Sequence, residues 1–414
     1  MNQHWFFWAF VVFFILHELI EQGLTWLNMR HIKQHRGEIP SFYKDKIEPA
    51  QYAKSIDYTL EKLRFGILTS FIAIPVVWAA IFSGFFDKLD SWISVLALKP
   101  LLHSVVFVLA TGLILMVLKI PQNLYSHFVI EEKYGFNKMT LKIWAVDFVK
   151  GLMLSAVLGV PLLTVLFWLF QKAGPVWWIW SFGALFAFQF FIYAVYPVWI
   201  APLFNKFTPL ADGELKRAIL DIASRIRFKL SGIYTIDGSK RSSHSNAYFA
   251  GIGRFRRIVL FDTLADKHTL PEIIGVLAHE MGHNIKKHVQ RQLIFSFVVA
   301  FAGFWILSRV IGWEPFYAAF NAGAPTPHKA LVLFSLFSGT FTFWLTPISN
   351  ALSRKYEFEA DRFSVETTKD KISLASALIK LSKENLSNLT PHPLYSFYHY
   401  SHPTTVERVK AILD

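Results

Sequence analysis

The chain of 414 residues is 53% hydrophobic, carries 41 Phe, 14 Trp and 14 Tyr, and has only 17% charged residues, against about 25% in soluble domains. With a mean hydropathy of +0.37, this excludes an ordinary soluble protein and points to several membrane spans. The net charge of +13 needs no nucleic-acid partner, because anionic headgroups of a lipid bilayer and the clustering of basic loops on one membrane face account for it.

Apolar runs long enough to cross about 30 Å of hydrocarbon fall at 5–27, 66–86, 101–120, 150–170, 176–199, 292–312 and 330–348. They predict a mainly α-helical multi-pass protein with seven transmembrane helices. Met1 to Leu27 lacks a basic leader and a small-residue cleavage site, so it reads as the first span rather than a signal peptide. His17, Glu18 and Glu21 fall at helical spacing within it. Charge is costly in lipid, so that polar face is expected to meet other helices or a wet cavity. Pro75, Pro161, Pro197 and Pro347 lie in or near spans, where prolines are tolerated and kink the helix. The absence of Cys excludes disulfides, Cys₄ zinc sites and attachment of prenyl or palmitoyl groups to this chain.

Seven spans put the two termini on opposite sides. Loops 28–65, 121–149 and 200–291 share the side of the C-terminus. The first of them carries Arg30, Lys33, Arg36, Lys44, Lys46, Lys54, Lys62 and Arg64, so the positive-inside rule predicts that this side is the cytoplasm. Segments 200–291 and 349–414 are each too short for a generous core and are expected to pack together as one catalytic domain. That leaves 1–199 as spans one to five with their loops and 292–348 as spans six and seven.

Within 200–291, residues 213–228 read as an amphipathic helix and Ile233 to Ile236 as a short strand. Tyr248 to Ala250 and Arg257 to Phe261 read as a hairpin joined across Gly251 and Gly253. A helix is predicted from Thr269, where Thr269 and Glu272 form a capping-box pattern and Pro271 suits the first turn. It is expected to run from Pro271 to Gln290. On it lies His279-Glu280-Met281-Gly282-His283. The two histidines, four apart, project from one face and can share a metal ion. Glu280 beside them is placed to take a proton from water, the arrangement of a zinc peptidase.

Two histidines leave zinc one protein ligand short. Downstream, Glu357 and Asp361 share a helix face that continues from the seventh span, whereas Glu359 points elsewhere. One of the pair is expected to bind the metal, and the other to accept a hydrogen bond from a ligand histidine and fix its tautomer. His244 reads as structural.

Several separated stretches point the same way: Glu131 to Asn137, Pro202 to Phe207, Asp237 to Phe249, the metal helix, Glu357 to Asp361, and Tyr398 to Pro403. Together they resemble the integral-membrane zinc metalloproteases of the CAAX prenyl protease 1 family, the Ste24-type enzymes of peptidase family M48. The resemblance implies seven long helices around a water-filled internal chamber with a zincin-like α+β domain. It implies one Zn²⁺ per chain on His279, His283 and Glu357, with Glu280 as general base and Asp361 as partner of a ligand histidine. It places His402 and Arg408 near the substrate and the oxyanion, and Asn246 to Phe249 as an edge strand beside the cleft, where Asn246 can donate to a substrate carbonyl. The expected substrate is a peptide or protein, prenylated or membrane-associated. The lack of Cys and the compact length fit a bacterial member in the cell membrane, where quality control of misfolded membrane proteins is the alternative role. A transporter with a coincidental motif is the alternative from a different class.

Overall fold

The computed structural model describes residues 5–251 and 256–414. Its seven long apolar helical runs are Trp5–Gln34, Pro49–Phe82, Pro100–Tyr134, Leu141–Lys172, Gly174–Phe204, His288–Val310 and Pro327–Thr368. All seven expected spans are present, and most extend beyond the apolar run that marks them. The second begins at Pro49 rather than near 66, and the seventh continues to Thr368 rather than ending near 348. Hydropathy marks only the part that must tolerate lipid, whereas the extensions are held by protein. Pro75 and Pro161 lie inside continuous helices, Pro197 sits in a wider π-type turn, and Pro347 begins a new helical segment, Thr346–Thr368.

The polar face of the first span turns toward other helices. His17 stacks on Phe343, with ring centroids 4.2 Å apart, and the Glu21 carboxylate lies 3.6 Å from His399 Nε2.

Beyond the spans, helices of the segments 200–291 and 349–414 lie against one another. Helix Leu270–Ile285 lies against Thr346–Thr368 and Lys371–Glu384. A second apolar core draws in the loop after the first span, where Tyr43, Tyr52 and Ile56 pack with Leu374, Ile379 and Val409. The two segments therefore also need the extramembrane ends of the first two spans.

A four-stranded sheet has the order β1-β2-β4-β3, with β1 at Phe207–Pro209, β2 at Gly232–Ile236, β3 at Ala247–Ala250 and β4 at Arg257–Phe261. β2 and β4 run parallel, and β3 pairs antiparallel with β4 as a hairpin should. Gly251 has the positive φ of +92° that favours glycine, while Gly253 lies outside the described residues. β1 was not anticipated, because three residues ending in Pro209 offer no alternation to read. The helix expected over 213–228 spans Glu214–Arg225.

One expectation is corrected. The helix from Thr269 does not reach Gln290. It ends at Ile285, Lys287 turns into the left-handed region at φ +59°, and a new helix begins at His288.

The chain exposes 21,996 Å² in total, whereas a compact monomer of 47.7 kDa would expose about 16,000 Å². The excess reflects the apolar span surface that the rest of the protein leaves uncovered.

Candidate metal centre

The capping box at Thr269 fixes the start of the ligand helix: the Thr269 N–H donates to Glu272 Oε2 at 2.9 Å. Ile273, Leu277, Ala278 and Met281 are buried on its inner face, against Ile219, Ile258 and Leu260. With that face committed to the core, His279 and His283 point toward the segment 353–361. Gly282 lets the two helices approach. A Cβ there would sit 3.0 Å from Phe363 Cδ1 and 3.3 Å from Ala360 Cα. Ser364 Oγ donates to the Gly275 carbonyl at 2.7 Å and locks the register.

The approach brings Glu357 to both histidines. Its Oε2 lies 3.4 Å from His279 Nε2 and its Oε1 lies 3.2 Å from His283 Nε2. The two Nε2 atoms are 3.1 Å apart. These three residues form one of two groups among the described residues that could hold a metal ion. The donor set fits Zn²⁺. Glu357 places one carboxylate oxygen beside each histidine Nε2, so two imidazole nitrogens and a carboxylate, the ligand types zinc takes, face one point.

Asp361 lies behind this group. His279 Nδ1 donates to Asp361 Oδ1 at 2.8 Å, leaving Nε2 free for a metal. Sequence left open which of Glu357 and Asp361 faces the metal position, and the geometry separates them. Arg408 turns to the carboxylates: its Nε and Nη2 donate to Asp361 at 2.8 and 2.6 Å, and Nη1 lies 3.1 Å from Glu357 Oε2. Burial and the Arg408 charge both lower the basicity of His279, but its bonds to Asp361 and Glu357 outweigh them and push its pKa up to about 9. A metal must therefore displace a proton from this ring.

Sequence reasoning missed a support for the second ligand. His288 Nδ1 lies 3.1 Å from His283 Nδ1, and His288 Nε2 donates to Glu359 at 3.0 Å. His288 is buried and stacks on Tyr356 at 4.4 Å. The break between helices at Lys287 brings it there. A third histidine five positions beyond the motif was the available signal, hidden by the expectation of an unbroken helix.

A cavity of about 630 Å³ opens over this group and is lined by His279, Glu280, His283, Asn246, His402 and Arg408, among others. Glu280 is half-buried on its wall. The exposed His402 reaches in, with Nε2 3.3 Å from Glu357 Oε1. Thr404, two residues on, caps helix Thr405–Leu413 in a capping box with Glu407. Asn246 is exposed just ahead of β3, whose outer edge pairs with no other strand of the sheet. His244 stands apart, bonded to Asn385 at 2.9 Å and stacked on Phe136. Seven of the eight expected site residues thus line one cavity, and the eighth, buried Asp361, lies behind it against His279.

Seven membrane helices carrying a His-Glu-x-x-His helix and a glutamate from a second helix define a membrane-embedded metallopeptidase. Residues 28–206 match the family described as CAAX prenyl protease N-terminal, five membrane helices, and residues 209–414 match peptidase family M48. The chain belongs to this family. It is 36% identical to CAAX prenyl protease 1 of Saccharomyces cerevisiae over 437 residues, covering 98% of this chain and 95% of that one. It is 36% identical to the CAAX prenyl protease 1 homolog of Arabidopsis thaliana, covering 94% and 93%. The crystal structure of S. mikatae Ste24p superposes with a TM-score of 0.89 at 34% identity, covering 97% of this chain and 98% of that one.

Proposed function

We propose that the protein is a zinc-dependent endopeptidase of CAAX-protease type that cleaves membrane-associated peptides or proteins. One observation carries the reading: the ligand atoms of His279, His283 and Glu357 converge on the wall of a cavity that Glu280 also lines. His279, His283 and Glu357 would hold one zinc ion, which when bound polarises the scissile carbonyl and acidifies water.

The protein's own groups supply the rest. Glu280 accepts a proton from the attacking water and returns it to the leaving amine. Asp361 holds His279 in the tautomer that leaves Nε2 free. Arg408, occupied by Asp361 and Glu357, orients those carboxylates from the side of the oxyanion, and the exposed His402 is the better placed donor to developing charge. The free edge of β3 receives the substrate backbone as an added strand, and Asn246 donates to a substrate carbonyl. The excess of exposed surface supports an internal chamber, and the division at 199, 291 and 348 assigns the chamber walls to the spans.

The relatives' name supplies the substrate class, a protein with a prenylated CAAX terminus, and an apolar chamber suits a lipid tail. The basic loop 28–65 supports a cytoplasmic catalytic domain. Assignment to a bacterial cell membrane rests on the lack of Cys and the compact length alone, and the relatives quoted are eukaryotic. The test offers purified protein a prenylated CAAX peptide and an unfolded membrane protein, with Glu280→Gln as control. Cleavage of the first supports the reading. Cleavage of the second alone moves it to quality control. Cleavage of neither at full zinc occupancy overturns it.

A further inference from the structure

A second cluster lies far from the first. Asp90 comes from the short helix Phe85–Ser94, His103 from the first turns of the third span and His328 from the first turn of the seventh. These segments follow the second span or precede the third and seventh, which puts the cluster on the membrane side opposite His279, which lies between spans five and six. The run Pro327–Thr368 carries His328 at one end and Glu357 toward the other, roughly 40 Å apart along a helix rising about 1.5 Å per residue.

Both imidazoles aim at one oxygen. His103 Nε2 lies 2.6 Å and His328 Nε2 2.9 Å from Asp90 Oδ1, and the candidate ligand atoms all fall within 4.8 Å of one another. The surroundings decide what sits between them. Ser104 Oγ donates its one proton to the Pro100 carbonyl at 3.0 Å, so His328 Nδ1, 3.1 Å from that oxygen, is the donor of the pair. His328 Nε2 then faces the carboxylate, beside the Thr326 hydroxyl at 3.0 Å. Two imidazole nitrogens and a carboxylate oxygen converging on one point is the arrangement that holds a divalent cation.

The charge balance leaves room for one. Lys329, 1% exposed, lies 3.3 Å from Asp90 Oδ2 and 3.2 Å from Asp87 Oδ1. One cation against two carboxylates leaves a negative charge. Lys329 also holds Oδ2 and leaves Oδ1 for the histidines. The site is built rather than incidental. Phe107 packs on the His328 ring at 4.7 Å, and Gly323, at φ +65°, brings the loop so close to Asp87 that any Cβ would collide with its carboxylate.

We infer that Asp90, His103 and His328 form a second divalent-metal site at the opposite end of the helices from the peptidase site. Two imidazoles and one carboxylate suit Zn²⁺, with a fourth position open to water. His103 and Asp90 are partly exposed, which gives an ion a path in. The inference does not rest on the peptidase reading, and its test keeps the two apart.

Full-length protein in detergent, stripped with a chelator and titrated with Zn²⁺ alone, is expected to bind two equivalents. The double variant His279→Ala/His283→Ala should keep one. Adding His103→Ala to it should weaken the remaining binding by about tenfold or more, the scale on which a site loses affinity when its coordination is disturbed. Because buried His328 also packs the helix start, partly exposed His103 is the primary variant, with Asp90→Asn as the second. Co²⁺ in the double variant should give the absorption bands of a four-coordinate N/O site, lost in both further variants. The inference is overturned if the double variant binds no metal, as it would were a proton alone to close the cluster, or if its remaining metal is indifferent to His103→Ala and Asp90→Asn.

Discussion

The seven spans and the ligand helix are packed in opposite ways. In four of the spans only 6% of the apolar window is buried. Helix Leu270–Ile285 buries Glu272, Ile273, Gly275, Leu277, Ala278, His279, Met281 and Gly282 within sixteen residues. Those four spans leave most of their apolar surface uncovered by the rest of the protein. The ligand helix is set into a solid block, because its side chains must hold donor atoms to fractions of an ångström. Tolerance to mutation should differ between the two regions accordingly.

Four changes can break or sharpen that contrast. Glu280→Gln should lower peptide hydrolysis by about 10²- to 10⁴-fold, with zinc content, measured by mass spectrometry, unchanged. Acidification comes next. Burial disfavours the Glu272 carboxylate, but Lys380, Ser376 and the Thr269 N–H hold its pKa down to about 2. Its stabilisation is therefore complete above the ordinary value of 4.5 and is lost as pH falls through about 2. It amounts to roughly 3 kcal/mol, and Glu272→Gln should flatten that part of a pH–stability profile in detergent. Third, His288→Ala should weaken zinc binding by about 10- to 100-fold in competition with a chelator, because His283 loses its support. Smallest, Val157→Ala on an exposed wall position should shift stability by no more than about 0.5 kcal/mol. A large loss there would mean that the spans are packed as tightly as the ligand helix.

The contrast also explains what sequence could reveal. The spans were legible because lipid imposes a local rule on every residue that meets it. His279 with His283, and Glu357 with Asp361, were legible because a spacing of four places each pair on one helix face, and Glu280 because it adjoins the first histidine. What escaped depended on backbone turns or distant meetings. Nothing in Lys286-Lys287 announces a left-handed residue, so the split that delivers His288 to His283 was invisible. Asp90, His103 and His328 come from three helices and share no local pattern. Arg408 was expected near the oxyanion, and only coordinates could show its guanidinium occupied by two carboxylates.

The seventh helical run has a consequence for how the protein is made. His279 and His283 leave the ribosome before spans six and seven, and Glu357 leaves after them. A nascent chain that has inserted five spans owns Glu280 and two imidazoles but lacks the glutamate that completes the candidate metal cluster. On the function proposed above, competence to cut would wait on the final crossing of the bilayer, and a chain stalled during insertion would be inert.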